Sequence, residues 1–175
     1  IKQEAKDMIQ KYLFKKNEFI KNKQPLPKVL KCEKSFNLDI GENVILNGFI
    51  DKVQIDPDGI LHVADYKTTK NKKYLKNDWL QLLTYCYVLL EEDPSLQVIR
   101  GSYILLRHDF EHITKDFTRE EILETKQKYI EIANNIRDEK EYTANPTILC
   151  NWCEFVDICP DAFKKKQQVF GEVTW

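Results

Sequence analysis

Asp51, Asp65 and Lys67 are the side chains whose types and spacing suggest chemistry first. Asp51 closes the stretch Gly48-Phe-Ile-Asp51, and Asp65 and Lys67 belong to Asp65-Tyr-Lys-Thr68, with Pro57-Asp58-Gly59 between them. Both stretches read as apolar strands joined by a tight turn. Pro57 suits the first corner because its φ is preset, and Gly59 tolerates the left-handed position that ends a three-residue hairpin loop. Pairing about Asp58 sets residues whose numbers sum to 116 opposite each other, so Asp51 is expected across from Asp65. Opposed residues of an antiparallel pair hold their Cβ atoms roughly 4.5–5.5 Å apart, and like charges there destabilise a sheet. A bound divalent cation would remove that penalty. The plainer alternative is a surface hairpin with a solvated ion pair.

Two carboxylates on neighbouring strands suit a hard, oxygen-seeking cation such as Mg²⁺ or Mn²⁺. A cation held there polarises a phosphoryl oxygen and lowers the pKa of a bound water. Strand alternation puts Lys67 on the same face as Asp65 and turns Tyr66 to the other. Lys67 is therefore placed to orient that water or to offset charge developing on a phosphate. Gln81 and Tyr85 follow four residues apart, which sets them on one helical face. Near the end of the chain comes Cys150-Asn-Trp-Cys153-Glu-Phe-Val-Asp-Ile-Cys159-Pro160. No secretory signal is visible, so disulfides are not the expected use of these thiols. They point to a metal: zinc with a fourth ligand, or an iron–sulfur cluster.

The elements that must position these groups follow from periodicity and punctuation. A charged helix is expected over 2–22 and is ended by Pro25 and Pro27. Strands are expected over 29–40, 44–56 and 60–68, then a helix over 77–92 with Leu80, Leu83, Tyr87 and Leu90 toward the core. Residues 97–107 read as a strong strand and 110–117 as its partner across a His108-Asp109 turn. Thr118 and Glu121 form a capping box that opens a helix to about residue 139. The fold class is thus α/β (α+β) around a central mixed sheet flanked by helices, in a single domain over 1–175. The 175 residues are 42% hydrophobic and 31% charged, with a formal net charge of −1. That balance fits a globular domain and does not by itself mark a nucleic-acid binder. Lysines are nevertheless clustered at Lys70, Lys72, Lys73 and Lys76, directly after the acidic hairpin, and again at Lys164–Lys166. No apolar run approaches the roughly 20 residues of a membrane span, and an intracellular location is expected.

Taken in order, Gly48-Phe-Ile-Asp51, Asp65-Tyr-Lys-Thr68 and Gln81-x-x-x-Tyr85 resemble the motifs of the RecB-like branch of the PD-(D/E)XK nuclease superfamily. The resemblance implies a restriction-endonuclease-like core and Mg²⁺- or Mn²⁺-dependent cleavage of DNA, as an exonuclease on single strands or ends. It implies that Asp51, Asp65 and the backbone carbonyl of Tyr66 bind metal, that Lys67 is the catalytic lysine, and that Gln81 and Tyr85 support the site or the DNA. Glu33 matches an acidic position with a supporting role. In AddB-type and CRISPR-associated relatives the C-terminal cysteine spacing resembles three ligands of a 4Fe–4S cluster, here Cys150, Cys153 and Cys159. Their fourth cysteine lies well upstream of the nuclease motifs. The expected counterpart therefore precedes Ile1, with Cys32 the weaker alternative and Cys86 a core residue. His62, His108 and His112 all follow Asp51, so the upstream metal-binding histidine of many relatives has no match. DNA and a helicase or another repair or CRISPR subunit are the partners implied. A non-catalytic DNA-binding module and a zinc-stapled interaction domain are the competing readings.

Overall fold

The computed structural model describes residues 2–72 and 78–161. Two compact units divide after Asn134. The first holds helix α1 (Lys2–Lys21), strands β1 (Lys28–Asp39), β2 (Ile45–Ile55) and β3 (Leu61–Lys67), helix α2 (Leu80–Glu92), strands β4 (Val98–Leu105) and β5 (Glu111–Thr118), and most of helix α3 (Arg119–Asp138). The strands form one sheet in the order β1-β2-β3-β4-β5. All neighbours are antiparallel except β3 and β4, which run parallel. A parallel pair needs a crossover, and α2 supplies it. The element order matches the sequence expectation; Lys73, Lys76 and Lys164–Lys166 lie outside the described residues.

The β2–β3 hairpin forms as its turn chemistry dictates. Gly59 adopts φ 86°, Gly59 N–H donates to the Asp56 carbonyl at 2.9 Å, and Asp56 N–H donates to the Ile60 carbonyl at 3.0 Å. The pairs Lys52↔Ala64, Val53↔Val63, Gln54↔His62 and Ile55↔Leu61 give the expected register. The ladder stops at Lys52↔Ala64, however, so Asp51 and Asp65 lie one step beyond it.

The cause is a reversal in β2. Leu46 and Ile50 enter the core, and so does Val53, three residues later. On a regular strand Ile50 and Val53 would face opposite sides. The chain therefore changes face between them, at Asp51-Lys52. On β1 the partner of this step is Glu33, which sits between the pairs Cys32↔Lys52 and Lys34↔Ile50 and adopts φ 48°. A left-handed backbone at a residue other than glycine is a local strain, held in place by the pairing on either side.

Helix α2 is buried on nearly every side, from Leu82 to Leu90 without a break. It lies against the sheet, and α3 adds Ile122 and Ile130 to the same core. Its sequence has the low polarity that such a position demands. It begins at Leu80 rather than near residue 77, because the Asp78 carboxylate accepts Leu80 N–H at 2.9 Å and the Trp79 carbonyl accepts Leu83 N–H at 2.8 Å. Gly101 permits close passage of α2 over β4: a Cβ there would meet Phe117 Cε2 at 2.7 Å and Leu82 Cβ at 3.3 Å. At the start of α3 the capping box is present, with Glu121 Oε2 accepting Thr118 N–H at 3.0 Å.

The β4–β5 connection is longer than a two-residue turn. Phe110 N–H and His108 N–H both donate to the Leu105 carbonyl, and Asp109 and Phe110 take φ near 57° and 58°. Among the described residues no helix is long and apolar enough to cross a membrane. The second unit, from Asn135 on, contains a 3₁₀ turn over Ile148–Trp152 capped by Thr147.

Candidate active site at the open end of the hairpin

Beyond the last ladder pair the β2–β3 hairpin opens, and side chains take over the bonding. Asp51 Oδ2 accepts Tyr66 N–H at 2.8 Å, where a regular ladder would use a backbone carbonyl. That bond fixes the Asp51 carboxylate beside β3. Asp65, which is 3% exposed, points toward α2. Its Oδ1 accepts Gln81 Nε2 at 2.8 Å and the Tyr85 hydroxyl at 3.4 Å. Gln81 Nε2 also donates to the Tyr85 hydroxyl at 2.8 Å, and Gln81 Oε1 accepts Lys67 Nζ at 2.7 Å. One amide thus ties together both strand residues and the helix tyrosine, using both of its donors and its acceptor.

Lys67 Nζ lies 2.8 Å from Asp65 Oδ2 as an ion pair. The contact lacks the alignment of a hydrogen bond, so the buried Oδ2 has no aligned donor. Both facts hold: the ammonium supplies charge but leaves a lone pair uncommitted. Lys67 Nζ also stands 5.0 Å above the centre of the Tyr103 ring, a cation–π contact. Tyr103 is fixed from the far side by its hydroxyl, which donates to the Asp78 carbonyl at 3.0 Å, and by Trp79 stacked 5.8 Å away.

Burial pushes the Asp65 carboxyl above its ordinary value; Lys67 pulls it down, and the charge of Asp51 adds to the upward push. Desolvation disfavours the charged form, and a like charge nearby does the same. Burial likewise raises the Tyr85 and Tyr103 hydroxyls to about 12, so both remain neutral hydrogen-bond donors. An uncommitted buried lone pair, two carboxylates and a charge penalty that a cation would relieve form an oxygen donor set that fits Mg²⁺ or Mn²⁺.

Asp65, Lys67, Gln81 and Tyr85 are joined by direct contacts, and Asp51 is tied to the backbone of Tyr66 beside them. Glu33 lies across from Asp51 in register but is exposed. Among the described residues no three His, Cys, Asp or Glu side chains converge on one metal position. That applies to Glu33 with the two aspartates and equally to Cys150, Cys153 and Cys159. The Cys150 thiol instead accepts Thr147 N–H at 3.3 Å within the 3₁₀ turn. Cys32 is exposed on β1, and Cys86 is fully buried in α2 with its thiol pushed up by burial. His62 is a structural residue, buried between Asp56 and Ser102.

Sequence reasoning missed two participants. Tyr103 belongs to a strand whose register against β3 depends on a crossover that no local pattern encodes. The reversal at Asp51 left no clean trace: Ile45 and Phe49 put apolar residues on odd positions before it, as Val53 and Ile55 do after it.

A five-stranded mixed sheet flanked by helices, with aspartates and a lysine where its central hairpin opens, defines a restriction-endonuclease-like domain. The chain belongs to the PD-(D/E)XK nuclease superfamily, which it matches over residues 1–160. It is 35% identical over 71 residues to a subunit of the ATP-dependent helicase/deoxyribonuclease of Streptococcus pyogenes serotype M6, a stretch covering 38% of this chain and 7% of that protein. The same subunit from serotype M3 is 33% identical over 70 residues, covering 38% and 6%. The chain therefore spans only a small part of the relatives it matches. The crystal structure of SSO0001 overlays with a TM-score of 0.40 at 16% identity, covering 74% of this chain and 59% of that one.

Proposed function

We propose that this chain is the nuclease module of a DNA-degrading enzyme, hydrolysing phosphodiester bonds with Mg²⁺ or Mn²⁺ and acting as an exonuclease on single strands or ends. The observation that carries this reading is the buried Asp65 Oδ2, held without an aligned donor beside Asp51 and Lys67. Asp51, Asp65 and the Tyr66 backbone carbonyl would hold the ion, which supplies Lewis-acid activation of the phosphoryl group and of water. Lys67 is steered by Gln81 Oε1 and the Tyr103 ring, so its ammonium is ordered before substrate arrives. Such a donor can bond a non-bridging phosphate oxygen as charge builds on it, at no further reorganisation cost. Tyr85 and Gln81 keep Asp65 Oδ1 occupied, which leaves Oδ2, beside Lys67, as the oxygen that would take the cation. Glu33, held in a strained backbone opposite Asp51, acts in support.

The similarity to part of a helicase/deoxyribonuclease supports DNA as substrate and a helicase as partner. For the thiols, the spacing of Cys150, Cys153 and Cys159 supports a 4Fe–4S cluster completed by a fourth cysteine elsewhere in the full protein. Anaerobic purification with metal analysis tests it: iron with visible absorption is expected, and stoichiometric zinc would replace the cluster by a zinc staple. The nuclease reading is tested by digesting end-labelled single- and double-stranded DNA with Mg²⁺ or Mn²⁺, beside Asp65→Ala and Lys67→Ala. Metal-dependent shortening by the parent and none by either folded variant is expected. Equal cleavage by the variants would sink the assignment, and salt-sensitive DNA binding without turnover would make the chain a binding module.

A further inference from the structure

Helix α1 and the sheet flank an open cavity of about 460 Å³ on the face turned away from α2. Its floor is Lys52 and Gln54 of β2, Tyr66 of β3, Ile104 of β4 and His112 of β5, and Tyr12, Lys15, Lys16 and Phe19 of α1 lie over it. Phe110 closes one end, its ring 5.7 Å from that of Tyr12. The size falls in the range of small-molecule sites, roughly 300–1,000 Å³. Three features set its chemistry.

Three lysines line the cavity and no carboxylate does, in a chain whose net charge is −1. Lys15 is engaged by Asp109 at 2.7 Å, which leaves Lys16 and Lys52 facing the space. Lys52 is partly desolvated, and burial is the largest influence on its ammonium, pushing its pKa down. An anion beside it would reverse that. The second feature is aromatic: Tyr12, Tyr66, Phe19 and Phe110 all line the same cavity. The third is Gln54, 5% exposed, whose Nε2 donates to Asp56 Oδ1 at 2.7 Å while its buried Oε1 accepts nothing. A buried acceptor without a donor is costly to leave unmade.

Ring surfaces, ammonium groups and an uncommitted amide acceptor match a planar heterocycle that carries donors on its edge and an anion on its tail. Rings that stack bases, set beside cations that hold phosphates, are how proteins bind single nucleotide units without reading sequence. We propose that this cavity binds a nucleoside phosphate on the sheet face opposite the candidate active site, stacking the base among Tyr12, Tyr66 and Phe110 and setting the phosphate on Lys16 and Lys52. The nucleotide is either free or the terminal unit of a strand. Binding there requires neither metal nor cleavage, so it stands apart from the nuclease reading.

Titration in EDTA with dAMP, with a 5′-phosphorylated oligothymidine and with inorganic phosphate tests this, read by calorimetry and by amide shifts. Saturable binding of dAMP or the oligonucleotide is expected, with shifts at Gln54, Tyr12 and His112. Affinity should fall about tenfold in Lys16→Ala and again in Lys52→Gln, as expected for a charged hydrogen bond. The Asp65→Asn protein should bind as the parent does. Binding of dAMP alone assigns a free nucleotide, binding of the oligonucleotide alone assigns a strand end, and binding of both assigns a site open to either. Lys16 is exposed on a helix, so its variant remains informative if Lys52→Gln fails to fold. The proposal is overturned if inorganic phosphate binds as tightly as dAMP, if neither lysine variant weakens binding, if Asp65→Asn abolishes it, or if nothing saturates.

Discussion

Asp56 and Asp65 belong to one hairpin, both are shielded from water, and their carboxyls are driven in opposite directions. For Asp56, burial pushes the carboxyl up, but donors from His62, Arg100 and Gln54 outweigh it and hold the group below the ordinary carboxylate value. His62 Nδ1 lies 2.9 Å away, Arg100 Nη1 2.9 Å and Gln54 Nε2 2.7 Å. The chain of contacts continues from His62 Nε2 to Ser102 Oγ at 2.7 Å and on to Thr114 Oγ1 at 2.7 Å. For Asp65 the desolvation wins: its side chain is buried more deeply, the contact and charge of Lys67 do not offset that, and the like charge of Asp51 adds to the upward push. A buried carboxylate saturated with donors pins strands together. One left short of donors holds capacity for something that arrives later. The difference between structure and site thus lies in what the partners leave undone, since the residue type is the same.

That contrast can be broken by exchanging the two effects. Asp56→Ala removes the acceptor shared by His62, Gln54 and Arg100, while Arg100 keeps Asp58 and Asp116, and should cost about 1–3 kcal/mol in denaturant unfolding. Cleavage per folded molecule should stay near the parent's. Asp65→Asn should do the reverse: metal-dependent cleavage falls about 10²–10³-fold, the scale of removing one preorganised charged group, while unfolding free energy moves by less than about 1 kcal/mol. A matched loss of stability in both variants would erase the distinction.

Gly101→Ala separates packing from charge on the α2 side. The added methyl meets Phe117 at 2.7 Å, so a loss of about 1–3 kcal/mol is expected, with no change in the metal dependence of cleavage. The smallest effect is in pH. Burial holds the His62 imidazole below its ordinary 6.5, even beside Asp56. The folded chain therefore binds fewer protons there than the unfolded chain. Stability falls as pH drops below about 6.5 toward the depressed value, and is regained as pH rises. Urea midpoints between pH 5 and 7 should show this slope in the parent and a flatter one in His62→Gln.

Much of this was readable from short-range chemistry. Pro57-Asp58-Gly59 fixed a turn, the turn fixed a register, and Thr118 with Glu121 marked a helix start, because each depends on hydrogen bonds between near neighbours in sequence. The meeting of Gln81 and Tyr85 with Asp65 required the motif order as well as the helical repeat. What escaped depends on distant packing. Tyr103 reaches Lys67 only because α2 carries the chain across to a parallel β4. The near-complete burial of α2 follows from α3 arriving much later in the sequence. The open end of the hairpin escaped because apolar residues occupy both odd and even positions before Asp51, so only packing decides which of them turn inward.

The reversal in β2 has a consequence for folding as well as for the site. A uniformly alternating strand can slide by two residues against its neighbour and still keep its apolar side inward. This one has no such second choice, since the step at Asp51-Lys52 meets the left-handed Glu33 in a single alignment and any slip would throw one half of the strand out of the core. The strand is keyed like a notched shaft in its socket. The Asp51 carboxylate is indexed by the notch itself, so its position along β1 is settled as the sheet zips, and the Pro57–Gly59 turn has only to bring β3 to meet it.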